Sequence, residues 1–444
     1  MQEIKEEKTK VLLVGVDTGE EKEFDHSMEE LKSLAEAANK QVVGIVVQHM
    51  QAVNKAFYIG TGKVAEVRDY AVQCEAEEIV FHNALSPSQV RNLGRELDRT
   101  VLDRTNLILD IFAIRAKTKE AKLQVETARL QYVLPRLVGM RENLSRQGGT
   151  GGKGGAGSAM SNKGAGETKL ELDRRKIEHR INELEKELEA IARNRETMRK
   201  KRSQSRIPKV ALVGYTNAGK STILNRLVEL YGESSDKTVL EQDMLFATLD
   251  TSVRFINSRE RGNTEEEIPS AIRNRPYYLV DTVGFIDELP HGLVKAFRST
   301  LEEVKYADLL VQVVDFSDEH YKQHMETTAR TLEELGAGNI PQIIVYNKAD
   351  KCGMEDLPRR KDRQIYMAAS LGKGVEELTE LIEECVYAEC VERAFLFPFD
   401  KGNLVSYFME NATVLKQEYR EDGVWLNVYC HKSDGEKYSE YVAE

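Results

Sequence analysis

The 444-residue chain reads as an α/β protein built around a P-loop nucleotide-binding domain. Three observations predict this. The string Gly214-Tyr215-Thr216-Asn217-Ala218-Gly219-Lys220-Ser221 is a Gly-x-x-x-x-Gly-Lys-Ser loop between the apolar run Val210 to Val213 and a helical stretch from Ser221. A strand, a glycine turn and a helix N-terminus together aim backbone N–H groups at one point, which suits a phosphate chain. Asn347-Lys348-Ala349-Asp350 follows the apolar run Ile343, Ile344, Val345, so it falls at a strand's C-terminal end, where a parallel sheet opens its ligand crevice. Between the two, Asp281-Thr282-Val283-Gly284 follows a third apolar run, Tyr278, Leu279, Val280.

Residues 1–115 alternate short apolar runs with amphipathic stretches. Val11 to Val16, Val42 to Val47, Ile79 to Phe81 and Val101 to Leu102 are expected as strands. Residues 27–38, 62–74 and 88–98 are expected as helices, giving a small parallel α/β domain. Its Tyr58-Ile59-Gly60-Thr61-Gly62-Lys63 string could hold a phosphate, but it lacks the full loop spacing, and a helix-starting turn explains the glycines as well.

Residues 116–206 predict an antiparallel helical hairpin. One arm (116–144) carries Leu123, Leu130 and Leu137; the other (167–200) carries Leu170, Ile177, Leu184 and Ile191, with Ile181 and Leu188 beside them. Each apolar stripe needs a partner, and the other stripe is the simplest one. Pro135 should bend the first arm. The intervening tip, 147–166, is rich in glycine: nine of the 19 residues from Gly148 to Gly166. No acid occurs between Asn143 and Gly166, while Arg146, Lys153 and Lys163 are interspersed. A flexible linker is one reading. RNA contact is preferred, because this segment joins two arms of one hairpin rather than two domains, and cations with adaptable glycines suit a phosphate-lined cavity.

Residues 207–390 form the expected nucleotide domain, and each motif has a chemical task. Lys220 reaches the β and γ phosphates and the Ser221 hydroxyl binds magnesium. Asp281 holds the same magnesium, usually through water, and the Gly284 amide contacts the γ-phosphate. Phe246-Ala247-Thr248-Leu249-Asp250 supplies Thr248 to complete the metal shell, with Thr251 as the rival. Asp350 offers two acceptors matched to the N1–H and amine of guanine, a pair that adenine cannot satisfy. Asn347 bonds the other edge of the base, and Lys348 lies along the ring and ties back to the phosphate loop. Motifs in this order define a switch GTPase that binds GTP or GDP with Mg2+. Lys220, Thr248 and Gly284 are its expected catalytic group; Ser221, Thr248 and Asp281 are its metal ligands. The residue after Gly284, often a water-orienting Gln, is Phe285, so slow intrinsic turnover completed by a partner is expected. Asn217 either packs in the loop or helps bind K+ beside the phosphates. Residues 258–275 read as a solvated loop, and 391–444 as a small α+β domain with a hairpin around Glu421-Asp422-Gly423.

Composition narrows the rest. No apolar stretch approaches the length of a membrane span, and Met1 is followed by polar residues, so a cytoplasmic protein is expected. The five cysteines are scattered without paired metal spacing and read as reduced thiols. Net charge is −11, which disfavours indiscriminate nucleic-acid binding. Residues 141–209, however, carry 18 Lys/Arg against 10 Asp/Glu.

Over nearly its whole length the chain resembles the HflX family of ribosome-associated GTPases. The specific strings are Asp103-Arg104-Thr105, Ile108-Leu109-Asp110-Ile111-Phe112, Lys122-Leu123-Gln124-Val125-Glu126, Leu130-Gln131-Tyr132, Gly166-Glu167-Thr168-Lys169-Leu170-Glu171 and Asp281-Thr282-Val283-Gly284-Phe285-Ile286. The resemblance implies a monomer whose N-terminal domain and hairpin engage the large ribosomal subunit near its peptidyl-transferase centre, to split or rescue stalled ribosomes under stress. The rival is an assembly or checkpoint factor with a passive RNA-binding hairpin. Two positions depart from the family pattern. The guanine-contacting Ser-Ala loop is Ala368-Ala369-Ser370, leaving the Ala369 amide for guanine O6, and Gly-Pro-Gly-Glu-Thr is Gly164-Ala165-Gly166-Glu167-Thr168.

Overall fold

The computed structural model describes residues 8–19, 23–146, 160–203, 207–232, 246, 252–257, 276–286 and 302–443. Two compact units divide the chain. One comprises Met1–Ala192 with Met244–Leu249 and Glu288–Arg298; the other comprises Arg193–Asp243, Asp250–Asp287 and Ser299–Glu444.

In the first unit, strands β1 (Thr9–Asp17), β2 (Lys40–His49), β3 (Glu78–Phe81) and β4 (Thr100–Asp103) form an all-parallel sheet in the order β2-β1-β3-β4. Helices α1 (Phe24–Ala37), α2 (Thr61–Gln73), α3 (Pro87–Leu97) and α4 (Arg104–Arg115) complete the alternation. The apolar runs become strands because parallel strands are covered on both faces; Val11 to Val14 are fully buried. Gly60 caps α2 and Lys63 pairs with Glu66 at 2.7 Å, so the helix-start explanation accounts for the Gly-Thr-Gly-Lys string.

Helices α5 (Lys119–Arg146) and α6 (Met160–Ser203) are the two arms of the hairpin. Arg180 bonds Glu126 with both Nε (2.8 Å) and Nη2 (3.2 Å), and Lys119 meets Glu187 at 3.2 Å. The partner of the earlier residue lies later in α6, as antiparallel packing requires. Leu123, Ile181 and Leu184 are buried at the seam. The second arm begins at Met160 rather than near residue 167, so Gly164 and Gly166 are helical. A glycine costs about 1 kcal/mol in a helix, a penalty that cooperative extension from a long helix absorbs. Tip residues 147–159 lie outside the described residues.

One carboxylate ties the first arm to this sheet. Asp103 is fully buried and caps α4 by accepting from the Asn106 amide at 3.0 Å. It also accepts from the Tyr132 hydroxyl and from Arg136 Nη2 (3.1 Å), and Arg136 lies over the Tyr132 ring. Burial, with the Asp103 carboxylate, holds the Tyr132 phenol protonated far above the usual range.

The second unit contains a seven-stranded sheet in the order β10-β11-β9-β8-β5-β7-β6. Its strands are β5 (Lys209–Val213), β6 (Ser252–Ile256), β7 (Tyr277–Asp281), β8 (Leu309–Asp315), β9 (Gln342–Asn347), β10 (Arg359–Lys361) and β11 (Gln364–Tyr366). The five from β7 to β11 in the row β11-β9-β8-β5-β7 run parallel, and β6 and β10 are antiparallel edges. Helices α7 (Lys220–Tyr231), α8 (Tyr321–Glu334) and α9 (Val375–Val386) accompany it. Val210, Leu212, Leu224, Leu279, Val311 and Val345 meet in its core. The expected loop 258–275 lies outside the described residues. The C-terminal part is an antiparallel sheet, β12 (Cys390–Phe397), β14 (Gly423–His431), β13 (Thr413–Arg420), with α10 (Gly402–Asn411) and α11 (Lys432–Lys437). The strand before the hairpin starts at Cys390, ahead of Phe395. No helix among the described residues is long and apolar enough to cross a membrane.

Removing the Asp103 carboxylate leaves the Tyr132 phenol without its acceptor and the Arg136 guanidinium, still bonded to the Tyr132 and Leu85 carbonyls, without its counter-charge. Asp103→Ala should cost about 3 kcal/mol, and Tyr132→Phe about 1 kcal/mol. Thermal unfolding of the full chain checks this: an Asp103→Ala protein melting with wild type would show that the network is dispensable.

Candidate functional site

The phosphate loop leaves β5 through Gly214 and enters α7 at Lys220. Its two glycines are steric requirements. Gly214 has φ +141°, and a Cβ there would come within 2.2 Å of the Val313 carbonyl oxygen. Gly219 has φ +96°, and a Cβ would meet Asn347 Nδ2 at 2.2 Å. Neither the backbone conformation nor the space admits a side chain. The loop is held to the end of β7 by a backbone pair: Phe285 N donates to Gly214 O (3.1 Å) and Thr216 N to Phe285 O (2.8 Å). Tyr215 stacks on His324 of α8 with ring centroids 3.8 Å apart.

Lys220 is 7% exposed, and its ammonium donates to the carbonyls of Gly214 (3.0 Å) and Tyr215 (2.7 Å). Burial pushes it down to about 8, against the opposing pull of Asp281. A phosphate placed there would offset that cost, because a buried cation without a counter-charge is unfavourable. Ser221 Oγ lies 3.3 Å from Asp281 Oδ2. Two of the three expected magnesium ligands are therefore adjacent, and a hydroxyl beside a carboxylate is an oxygen donor set that suits Mg2+. Thr248, with Ala247, Leu249, Asp250 and the rival Thr251, lies outside the described residues.

Gly284 completes this end. A methyl group built on it would come within 2.8 Å of Thr216 Cγ2 and 3.0 Å of Lys220 Nζ, so only glycine lets the chain approach the loop so closely. Thr282 faces the other way. It is fully buried and its hydroxyl donates to the Leu212 carbonyl at 2.7 Å, so this side chain holds the sheet and not the nucleotide. Val283 is also buried. Phe285 is 1% exposed, a core residue rather than a pocket wall. Phe246 is buried with φ +54° and packs edge-to-face on Phe112 of α4 at 4.8 Å, within the first unit.

At the guanine end, Asn347 is a structural tether. Its Nδ2 donates to Ala218 O (3.0 Å) and its Oδ1 accepts from Ala369 N (3.0 Å). The Ala369 amide expected to reach guanine O6 is thus already engaged, and would have to be shared. Asn347 retains one Nδ2 hydrogen for a base edge. Lys348 takes the left-handed conformation (φ +59°) and donates to Asn217 O (2.9 Å), the expected tie to the phosphate loop. It also pairs with Asp315 Oδ2 at 2.7 Å. Sequence reasoning missed Asp315 as a site residue; the available signal was an acid closing the apolar run Leu309 to Val314. Asp350 carries a buried Oδ1 with no hydrogen-bond partner among the described residues. An unpaired buried acceptor is costly, and a guanine N–H is a donor of the right kind. Ala349, Ala368 and Ala369 are fully buried around these groups, while Ser370 is exposed and contributes its carbonyl to Arg226.

A phosphate loop with a buried lysine after β5, a Ser–Asp pair joining α7 to the end of β7, and an aspartate with a buried unpaired acceptor after β9 are together the marks of a P-loop GTPase. Sequence models match three consecutive segments: a GTP-binding GTPase N-terminal region at 25–113, a GTP-binding GTPase middle region at 115–202, and a 50S ribosome-binding GTPase domain at 209–348. The chain is 42% identical to GTPase HflX of Caldanaerobacter subterraneus over 96% of this chain and 91% of that protein. It is 38% identical to GTPase HflX of Escherichia coli over 89% and 87%. A solved GTP-binding protein of Sulfolobus solfataricus in complex with GDP is 28% identical, with a TM-score of 0.43 over 86% of this chain and 99% of that one. The chain belongs to the HflX family of GTPases, and it binds and hydrolyses GTP.

Reversing one hydrogen-bond polarity at Asp350 tests the base assignment. Asp350→Asn should lower GTP affinity at least about 100-fold and favour xanthosine triphosphate. Competition binding reads both; retained preference for GTP would remove Asp350 from that role.

Proposed function

We propose that the GTP-bound protein grips the large ribosomal subunit through its hairpin and lets go on hydrolysis, splitting or rescuing stalled ribosomes. The observation that carries this reading is the joining of a GTPase to a long hairpin whose first arm is fixed midway along its length by Asp103. The glycine-rich, acid-free tip sequence is suited to RNA phosphates. The match of residues 209–348 to a 50S ribosome-binding GTPase domain supports the same partner. In this reading the tip lies near the peptidyl-transferase centre, the protein acts as a cytoplasmic monomer, and the functional divisions fall at 115, 206 and 390.

At the nucleotide, Ser221, Asp281 and Thr248 would hold Mg2+, which would offset negative charge on the phosphate chain. Lys220 and the Gly284 amide stabilise charge on the γ-phosphate, and Asp350, Asn347, Lys348 and Ala369 select guanine. Asn217 has an exposed side chain on a left-handed residue (φ +61°) whose carbonyl is fixed by Lys348. That placement suits a K+ ion beside the phosphates. Turnover in potassium should then exceed turnover in sodium at equal ionic strength, by about threefold or more; equal rates would leave Asn217 as a packing residue.

Trimming residues 148–165 to a short turn should leave basal GTP hydrolysis unchanged, because every nucleotide motif lies elsewhere. Affinity for large subunits should fall roughly tenfold or more as phosphate contacts are lost, together with any ribosome-dependent stimulation. Trimmed protein that still binds and responds normally would make the segment a linker. Wild-type protein that cosediments with free large subunits but never splits intact ribosomes with GTP or a non-hydrolysable analogue would favour an assembly or checkpoint factor.

A further inference from the structure

GTP hydrolysis needs a water held in line with the γ phosphorus. The residue after Gly284, where a carboxamide could hold that water, is the buried Phe285. Its ring lies in the core and its amide and carbonyl are spent on Gly214 and Thr216. Thr216 is the polar side chain next to this point. It is 6% exposed, and its Oγ1 is fully buried with no hydrogen-bond partner among the described residues. Buried hydroxyls are nearly always paired, so one left unpaired among the described residues beside a ligand site can take the ligand or its water as partner.

The Thr216 side chain also packs against the Gly284 segment. A methyl group built on Gly284 would lie 2.8 Å from Thr216 Cγ2, 2.9 Å from Thr216 Cα and 3.0 Å from Lys220 Nζ. The Thr216 methyl and Cα, the buried ammonium and Gly284 therefore meet at one spot, and the Thr216 hydroxyl is carried on the same Cβ as that methyl. The backbone bond from Thr216 N to Phe285 O, at 2.8 Å, fixes the residue against the segment carrying Gly284.

We infer that the Thr216 hydroxyl positions the attacking water, taking over the role of the absent glutamine as a catalytic residue. The inference rests on the γ-phosphate lying beside Lys220 and Gly284. The water oxygen forms a bond to the γ phosphorus as that atom's bond to the β–γ bridging oxygen breaks, leaving the electron pair on GDP. The water's proton passes to a γ oxygen and leaves with inorganic phosphate. Thr216 neither gains nor loses a proton: Oγ1 accepts a hydrogen bond from the water, and its own O–H donates to a γ oxygen.

The test is single-turnover hydrolysis by the full-length protein without ribosomes, alongside affinity for GDP and a non-hydrolysable GTP analogue. Thr216→Val keeps the shape and removes the hydroxyl. Its hydrolysis rate should fall about 100-fold, with both affinities within about threefold of wild type. Thr216→Ser restores a hydroxyl and should recover hydrolysis to within about fivefold of wild type. Wild-type hydrolysis by Thr216→Val would overturn the inference, as would a parallel loss of GDP affinity, which would mark the hydroxyl as part of the loop's structure. Lys220→Ala, measured beside them, should lose analogue binding. If it binds normally, the premise about the γ-phosphate fails, and the inference with it.

Discussion

The nucleotide site depends on one buried amide at the end of β9. Asn347 is 2% exposed and bridges segments far apart in sequence, Ala218 in the phosphate loop and Ala369 in the loop after β11. Both bonds are buried, where a hydrogen bond is strengthened and its loss leaves an orphan on each side. The amide also explains Gly219: Nδ2 occupies the volume that any Cβ would need. Side chain and glycine thus define each other. The phosphate end and the guanine end are held at a fixed separation before any ligand arrives.

That preorganisation has an electrostatic cost, concentrated in Lys220. A buried ammonium bonded, among the described residues, to two carbonyls is held well below its ordinary basicity. The polyanionic ligand therefore supplies a counter-charge to a cation that the fold has already desolvated. Asp350 repeats the logic at the other end with an unpaired acceptor in place of a desolvated cation. Affinity comes from satisfying groups that the fold has already desolvated. Specificity follows, because a ligand with the wrong hydrogen-bond pattern leaves them unsatisfied.

The parts legible in the sequence were those in which a short string dictates its own geometry. The apolar runs ending at Val213, Val280 and Val345 became strands, and each motif emerged at a strand end. The heptad stripe identified Leu184 and Ile181 as seam residues. What escaped was set by tertiary direction. Within Asp281-Thr282-Val283-Gly284, adjacent residues on an extended chain point to opposite faces. Sequence alone does not say that Thr282 bonds Leu212 while Asp281 meets Ser221. Asp315 looked like an ordinary strand terminus until Lys348, 33 positions later, arrived beside it. The start of α6 was misplaced because glycine content argues locally against a helix that a 44-residue whole can sustain.

Charge distribution connects the two ends of the molecule's chemistry. The chain is acidic overall, yet residues 141–209 carry a local surplus of eight positive charges. An acidic surface repels RNA, but only within a Debye length, about 8 Å at physiological ionic strength. A helix of 44 residues is about 66 Å long, many times that screening distance. Charges at the two ends of such an arm are screened from one another. Asp103, Tyr132 and Arg136 tie the first arm to the four-stranded sheet midway along its length, and the Arg180–Glu126 pair joins the second arm to the first. Within that surplus, residues 141–166 around the tip hold four cations against one acid, and residues 193–209 at the other end of the second arm hold eight against one; in the proposed function it is the tip's cations that would meet RNA phosphates.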